Sequence, residues 1–190
     1  MAKARKAFAI VGPTGSGKQT LASKLVAGMN TYHISWKALL LRADQERFPH
    51  EFARILSGEI PVSLRLTLEL LREELSLVPA EGTLLFTGIP CGMSQIPVLH
   101  DLGFTQTTFI FLEASDSVCK SRLQLQYEAG RKDRNPRVLI EEIYRYRENH
   151  PVLLRGCSRV YGSESLRFVN GMLTPDQVYA DTVEIMMSPA

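Results

Sequence analysis

The sequence predicts an α/β protein built in three layers, with helices on both faces of a parallel sheet. Two observations carry that prediction. Apolar runs of strand length alternate with amphipathic stretches of helix length, the order of repeated βα units. The first run, Ala7–Val11, leaves through a glycine-rich turn straight into a helix. That helix, Lys18 to Met29, sets Leu21, Leu25 and Met29 at i, i+4 and i+8, one apolar face for the sheet. Tyr32–Ser35 is a short second strand. Helical stretches follow over Trp36–Gln45 and Glu51–Leu56, interrupted at Pro49. Ser63 is the cap of a long helix running to about Leu77, with Leu66, Leu70 and Leu77 on its apolar side. Thr83–Thr87 is a buried strand, closed by the turn residues Gly88-Ile-Pro-Cys-Gly92. Thr107–Leu112 is another, with Ser115–Gln126 helical after it. Asn135-Pro136 opens a polar helix expected to stop at His150, before Pro151. Arg167–Asn170 is the last strand, and Thr174-Pro175-Asp176 caps a C-terminal helix to about Met186.

A chain of 190 residues with 45% hydrophobic side chains reads as a single domain, residues 1–190, with a core large enough to need no disulfide or metal staple. The 22 Lys+Arg against 20 Asp+Glu leave a net charge of +2, which argues against a nucleic-acid or membrane-surface partner. Cys91, Cys119 and Cys157 stand far apart, the pattern of reduced thiols in a cytoplasmic protein. The basic start, Met1–Lys6, precedes an apolar run too short for a secretory signal. His33, His50, His100 and His150 lack metal-ligand spacing and read as structural or solvated imidazoles.

The chemistry concentrates in Gly12-Pro-Thr-Gly-Ser-Gly-Lys18, which follows a strand and opens a helix. Glycine permits positive φ and close backbone approach, so successive N–H groups can converge on an anion. The helix beginning at Lys18 directs its positive dipole end to the same point. Lys18 can then reach the β- and γ-phosphates of a nucleotide. The strict phosphate-loop pattern places Ser or Thr directly after the lysine to touch Mg²⁺; here that residue is Gln19, and Thr20 comes one later.

The spacing Gly-x-x-Gly-x-Gly-Lys-x-Thr resembles the adenylate kinase family of nucleoside monophosphate kinases, and the likeness runs along nearly the whole chain. His33-Ile-Ser35, Gly58-Glu-Ile-Pro61, Thr83–Pro90 and Gly130–Pro136 fall in that family's order. The resemblance implies a P-loop fold with a five-stranded parallel sheet ordered 2-3-1-4-5. It also implies an acceptor-nucleotide insertion over about 36–77 and a short lid over about 126–136. Carried over by residue, Gly12, Pro13, Thr14, Gly15, Ser16, Gly17, Lys18, Gln19 and Thr20 would bind ATP, with Thr20 beside Mg²⁺. Arg122 would stack on the donor base and Arg131 would act with Lys18 in transfer, with Asp133 beside it in the lid. Arg42, Gln95 and Trp36 would line the acceptor site. The partners implied are small-molecule nucleotides, bound by a monomer.

The departures fall on the chemistry. Thr87 stands where the family has an aspartate that orients Mg²⁺, and Cys91 where an arginine grips the acceptor phosphate. Gln126 replaces a lid arginine, Glu142 a catalytic arginine, and Leu41 takes the place expected for Arg42. A transition-state arginine is worth roughly 10³–10⁵ in rate, so such losses bear directly on turnover. Residues 120–147 carry eight basic side chains against four acidic ones, and Arg134 or Arg145 could fill a vacated place. Two functions follow as expectations: an ATP-dependent phosphotransferase, and a catalytically impaired nucleotide-binding module of the same fold. The string Gly-Pro-Thr-x-Ser-Gly-Lys also resembles the start of tRNA prenyltransferases, but that family's following Asp-Ser segment is absent.

Overall fold

The structure is a computed structural model that describes residues 6–43, 63–79, 81–130 and 136–188. Strands β1 (Ala7–Val11), β2 (Thr31–Ser35), β3 (Thr83–Thr87), β4 (Thr107–Glu113) and β5 (Leu166–Asn170) form one sheet. Its order is β2-β3-β1-β4-β5, as the resemblance implied, and every pairing is parallel. All five residues of β1 are buried, because the strand is central and both faces of the sheet are covered.

Alternation along β1 divides its side chains between two cores. Ala7, Ala9 and Val11 join Phe86, Phe109 and Phe111 on one face. Helices α2 (Trp36–Arg42), α3 (Leu64–Leu77), α4 (Ile96–Asp101) and α6 (Pro136–Tyr161) pack residues there. Phe8 and Ile10 face the other way, onto Leu21 and Leu25 of α1 (Lys18–Gly28) and Val178 and Met186 of α7 (Pro175–Met187). Helix α5 (Asp116–Glu128) meets α6 through a smaller cluster of Cys119, Leu123 and Ile143. The three layers expected are present. Because β1 has β3 on one side and β4 on the other, its carboxyl end lies at the switch point where such sheets bind ligands.

The local stop and start signals act as read. Ser63 Oγ accepts from the Leu66 amide at 3.2 Å, and Ser115 caps α5 in the same way. Thr174 and Gln177 form a reciprocal capping box. One boundary differs: α6 does not stop before Pro151 but continues to Tyr161. Proline removes a single backbone donor, and Leu153 and Cys157 beyond it are 1% and 0% exposed, so core packing outweighs the lost bond. Helix α5 likewise runs to Glu128, past the expected end at Gln126, and α4 was not foreseen. The expected helix at Glu51–Leu56 and the break at Pro49 lie outside the described residues. So do most of the acceptor insertion between α2 and α3, and lid residues 131–135 with Arg131, Asp133 and Arg134.

Candidate functional site

Residues 12–17 join β1 to α1 with glycines in the left-handed region at Gly15 (φ 84°) and Gly17 (φ 102°). A Cβ at Gly15 would lie 2.6 Å from the Cys119 carbonyl oxygen, so the loop rests directly on α5 and only glycine fits. Gly17 caps α1 with no side-chain bond to the first-turn amides. Those amides and the helix dipole are the groups that receive anions at a helix start. The Ser16 amide donates to Pro13 O at 3.1 Å and holds the bend. Ser16 Oγ is buried with no hydrogen-bond partner among the described residues. An orphaned hydroxyl inside a cradle of left-handed glycines is what a polyphosphate would satisfy.

Lys18 folds over its own loop, Nζ donating to Gly12 O at 2.6 Å and Pro13 O at 2.7 Å. Burial lowers its pKa to about 8, with Cys119 and Glu142 acting in the opposite direction. Glu142, carried on α6, meets the loop at its middle: Thr14 Oγ1 donates to Glu142 Oε2 at 2.8 Å. The glutamate that replaces an expected arginine is thus bound to the loop that would hold phosphate.

At the loop's helix end, four neutral side chains gather from three elements. Thr87, at the end of β3, is 1% exposed and its Oγ1 lies 2.7 Å from Nε2 of His33 on β2. Gln19 Nε2 donates to Ser35 Oγ at 3.3 Å and Thr87 Oγ1 at 3.5 Å. Burial lowers the His33 pKa and keeps the ring neutral at neutral pH. Magnesium in P-loop enzymes is held by a loop hydroxyl, a strand-end carboxylate and phosphate oxygens. Here the residue after Lys18 is an amide and the strand end is a threonine already bonded to an imidazole. Thr20, expected at the metal, is exposed on α1, and no group of three His, Cys, Asp or Glu able to hold a metal occurs among the described residues. The strand end thus offers magnesium no carboxylate, while Thr20 keeps the hydroxyl of the Gly-Lys-x-Thr spacing.

The expected acceptor residues are occupied by internal contacts. Gln95, 2% exposed, accepts from the Cys91 amide at 2.8 Å through Oε1 and donates to Thr67 Oγ1 at 3.5 Å through Nε2. Both ends of its amide therefore brace the turn after β3 against α3, where the resemblance would have it line the acceptor site. Arg42 Nη2 pairs with Glu74 Oε2 at 2.8 Å, joining α2 to α3. Trp36, expected to line the acceptor site, is 5% exposed and belongs to the core with Leu39, Leu40 and Leu71.

Arg122, expected to stack on the donor base, is held by two backbone oxygens. Its Nη1 donates to Ser16 O at 3.1 Å and to Gly171 O at 2.8 Å, tying the loop to the β5–α7 connection. Arg122 and Gln126 border a cleft of about 130 Å³, open to solvent, whose apolar wall includes Leu21, Leu173 and Val178. Sequence reasoning missed His33 as a member of the site. Its signal was position, two residues before the end of a strand whose neighbour ends at Thr87.

A glycine-rich loop of this geometry, at the carboxyl end of the central strand of a 2-3-1-4-5 sheet, defines a P-loop nucleoside-triphosphate-binding fold. Residues 11–140 match the family described as the AAA domain. An adenylate kinase of Synechococcus is 31% identical over 151 residues, covering 76% of this chain and 80% of its own. UMP-CMP kinase 2 of Caenorhabditis elegans is 26% identical over 183 residues, 93% of each chain, and an adenylate kinase of Maricaulis maris is 28% identical over 180. The chain belongs to the adenylate kinase-like family of nucleoside monophosphate kinases. Among the described residues no helix is long and apolar enough to cross a membrane.

Proposed function

We propose that the protein binds ATP at residues 12–20 and transfers its γ-phosphoryl group to a nucleoside monophosphate or a similar small acceptor. The observation that carries this reading is the loop itself: left-handed Gly15 and Gly17, the orphaned Ser16 hydroxyl, and a lysine within reach of the cradle. The loop amides and Ser16 Oγ would hold the phosphate tail. Lys18 would exchange its two carbonyl partners for phosphate oxygens and neutralise charge on the group in flight. Arg122 would wall the donor base, with the apolar cleft around Leu173 receiving it. Arg131 is proposed as the lid cation. Trp36, Arg42 and Gln95 would shape the acceptor end through the contacts they make with α3 and the β3 turn. Phosphoryl transfer asks a protein for alignment and charge compensation rather than covalent chemistry, and these groups supply both.

A second reading, a nucleotide-binding module with impaired catalysis, is favoured by one contact, the Thr14–Glu142 bond across the loop. An assay of ADP formation from ATP with each nucleoside monophosphate in turn, beside a direct ATP titration, separates the two. Turnover on the order of 10 s⁻¹ supports the phosphotransferase. ATP binding without turnover on any acceptor supports the module, and absence of binding removes both.

The depressed Lys18 pKa makes ATP binding depend on pH in a definite sense. The ammonium form is the ligand-binding form, and it predominates below about 8. Above that value binding must first recharge the lysine, so affinity falls as pH rises. Titration calorimetry at several pH values is expected to show ATP affinity about tenfold weaker at pH 9 than at pH 7, with net proton uptake. A flat profile over that range would separate Lys18 from the phosphates.

A further inference from the structure

The quartet of Gln19, His33, Ser35 and Thr87 gathers at the loop's helix end, with Thr87 where the resemblance has the carboxylate that orients a cation beside the phosphates. We propose that this neutral network makes the loop a site for the metal-free nucleoside triphosphate, bound as the uncomplexed polyanion. The inference rests on the nucleotide reading and names the form of ligand that the same site selects.

A carboxylate at the strand end beside a phosphate loop repels the phosphates unless a divalent cation stands between them, so a site so equipped selects the magnesium complex. Thr87 removes that repulsion and with it the anchor for the cation. Its hydroxyl is engaged by His33 at 2.7 Å and by Gln19 at 3.5 Å, and the residue is 1% exposed. Gln19 places an amide N–H₂ between the lysine and Thr20, whose hydroxyl keeps the Gly-Lys-x-Thr spacing. That amide is exposed and holds two hydroxyl acceptors only at 3.3 and 3.5 Å, long for N–H···O bonds. Turning it toward a phosphate oxygen therefore exchanges weak contacts for a charge-assisted bond. Gln19, Lys18 and the amides at the start of α1 are then the groups that compensate the polyanion. Glu142 meets the loop at Thr14, not at this end, and does not restore the missing pair.

Equilibrium dialysis of ATP against the full chain, once in excess magnesium and once in EDTA, tests this directly. Affinity in EDTA is expected to equal or exceed that in magnesium. An affinity at least threefold tighter with magnesium overturns the inference while leaving the nucleotide reading intact. Binding in neither buffer overturns the nucleotide reading itself. Thr87→Asp is expected to shift the ratio at least tenfold toward magnesium-ATP. Because Thr87 is buried, Gln19→Glu at an exposed position serves as the second variant, with a shift in the same direction. An unchanged ratio in a folded Thr87→Asp and in Gln19→Glu would show that the network does not set the preference.

Discussion

Lys18→Ala is expected to weaken ATP binding by at least a hundredfold and to abolish transfer to any acceptor. The expectation follows from what the ammonium does with and without ligand. Without ligand, Nζ is half-buried and rests on Gly12 O and Pro13 O, two neutral acceptors, with its pKa held down to about 8. Moving it onto phosphate oxygens converts those bonds into charge-assisted ones and returns the lysine to its preferred protonated state. A hydrogen bond to a charged partner contributes about 1.5–3 kcal/mol, so losing two corresponds to roughly 10²–10⁴ in affinity. Calorimetric titration of ATP into the variant measures the loss. Lys18→Met, which keeps most of the aliphatic stem while deleting the charge, distinguishes missing charge from missing packing and is expected to bind as poorly. Retained affinity in both would place the phosphates away from the loop.

How far the sequence carries is set by the range of the interactions involved. The bounds of β1 and β3 and the caps Ser63 and Thr174 depend on neighbours within four residues, and the structure places them as read. The end of α6 was misplaced because the local rule at Pro151 competes with Leu153 and Cys157, whose burial is a tertiary matter. The loop was legible for the same reason as the caps: glycine spacing, lysine and helix start are consecutive. The acceptor side was not. Whether Gln95 reads a base or braces Cys91 and Thr67, and whether Arg42 meets a phosphate or Glu74, turns on contacts 28 and 32 residues apart in the chain. The meeting of Thr14 with Glu142 spans 128 residues. There the sequence showed an unexpected charge at a catalytic position, and only the fold shows what that charge touches.

Glu142→Gln is expected to tighten ATP binding by at least tenfold, the reverse of what removing a charged site residue usually does. A carboxylate bonded to Thr14 in the middle of the phosphate loop must be displaced or tolerated when a polyanion arrives. Two unit charges about 5 Å apart repel by roughly 3 kcal/mol at an effective dielectric of about 20, a hundredfold in affinity before screening and relaxation. Against this stands the support that Glu142 lends to the Lys18 ammonium, which the amide would withdraw. A phosphate tail brings several negative charges to the same lysine, so the ligand itself replaces that support and the repulsion decides the sign. Glu142→Arg carries the test into catalysis, since it restores a cation where transfer needs one. If the acceptor end is intact, affinity and turnover should rise together in Glu142→Arg, whereas Glu142→Gln should improve affinity alone. A gain in binding with no gain in turnover from the arginine would locate the impairment in the acceptor residues, where Gln95 and Arg42 are already committed to holding the fold.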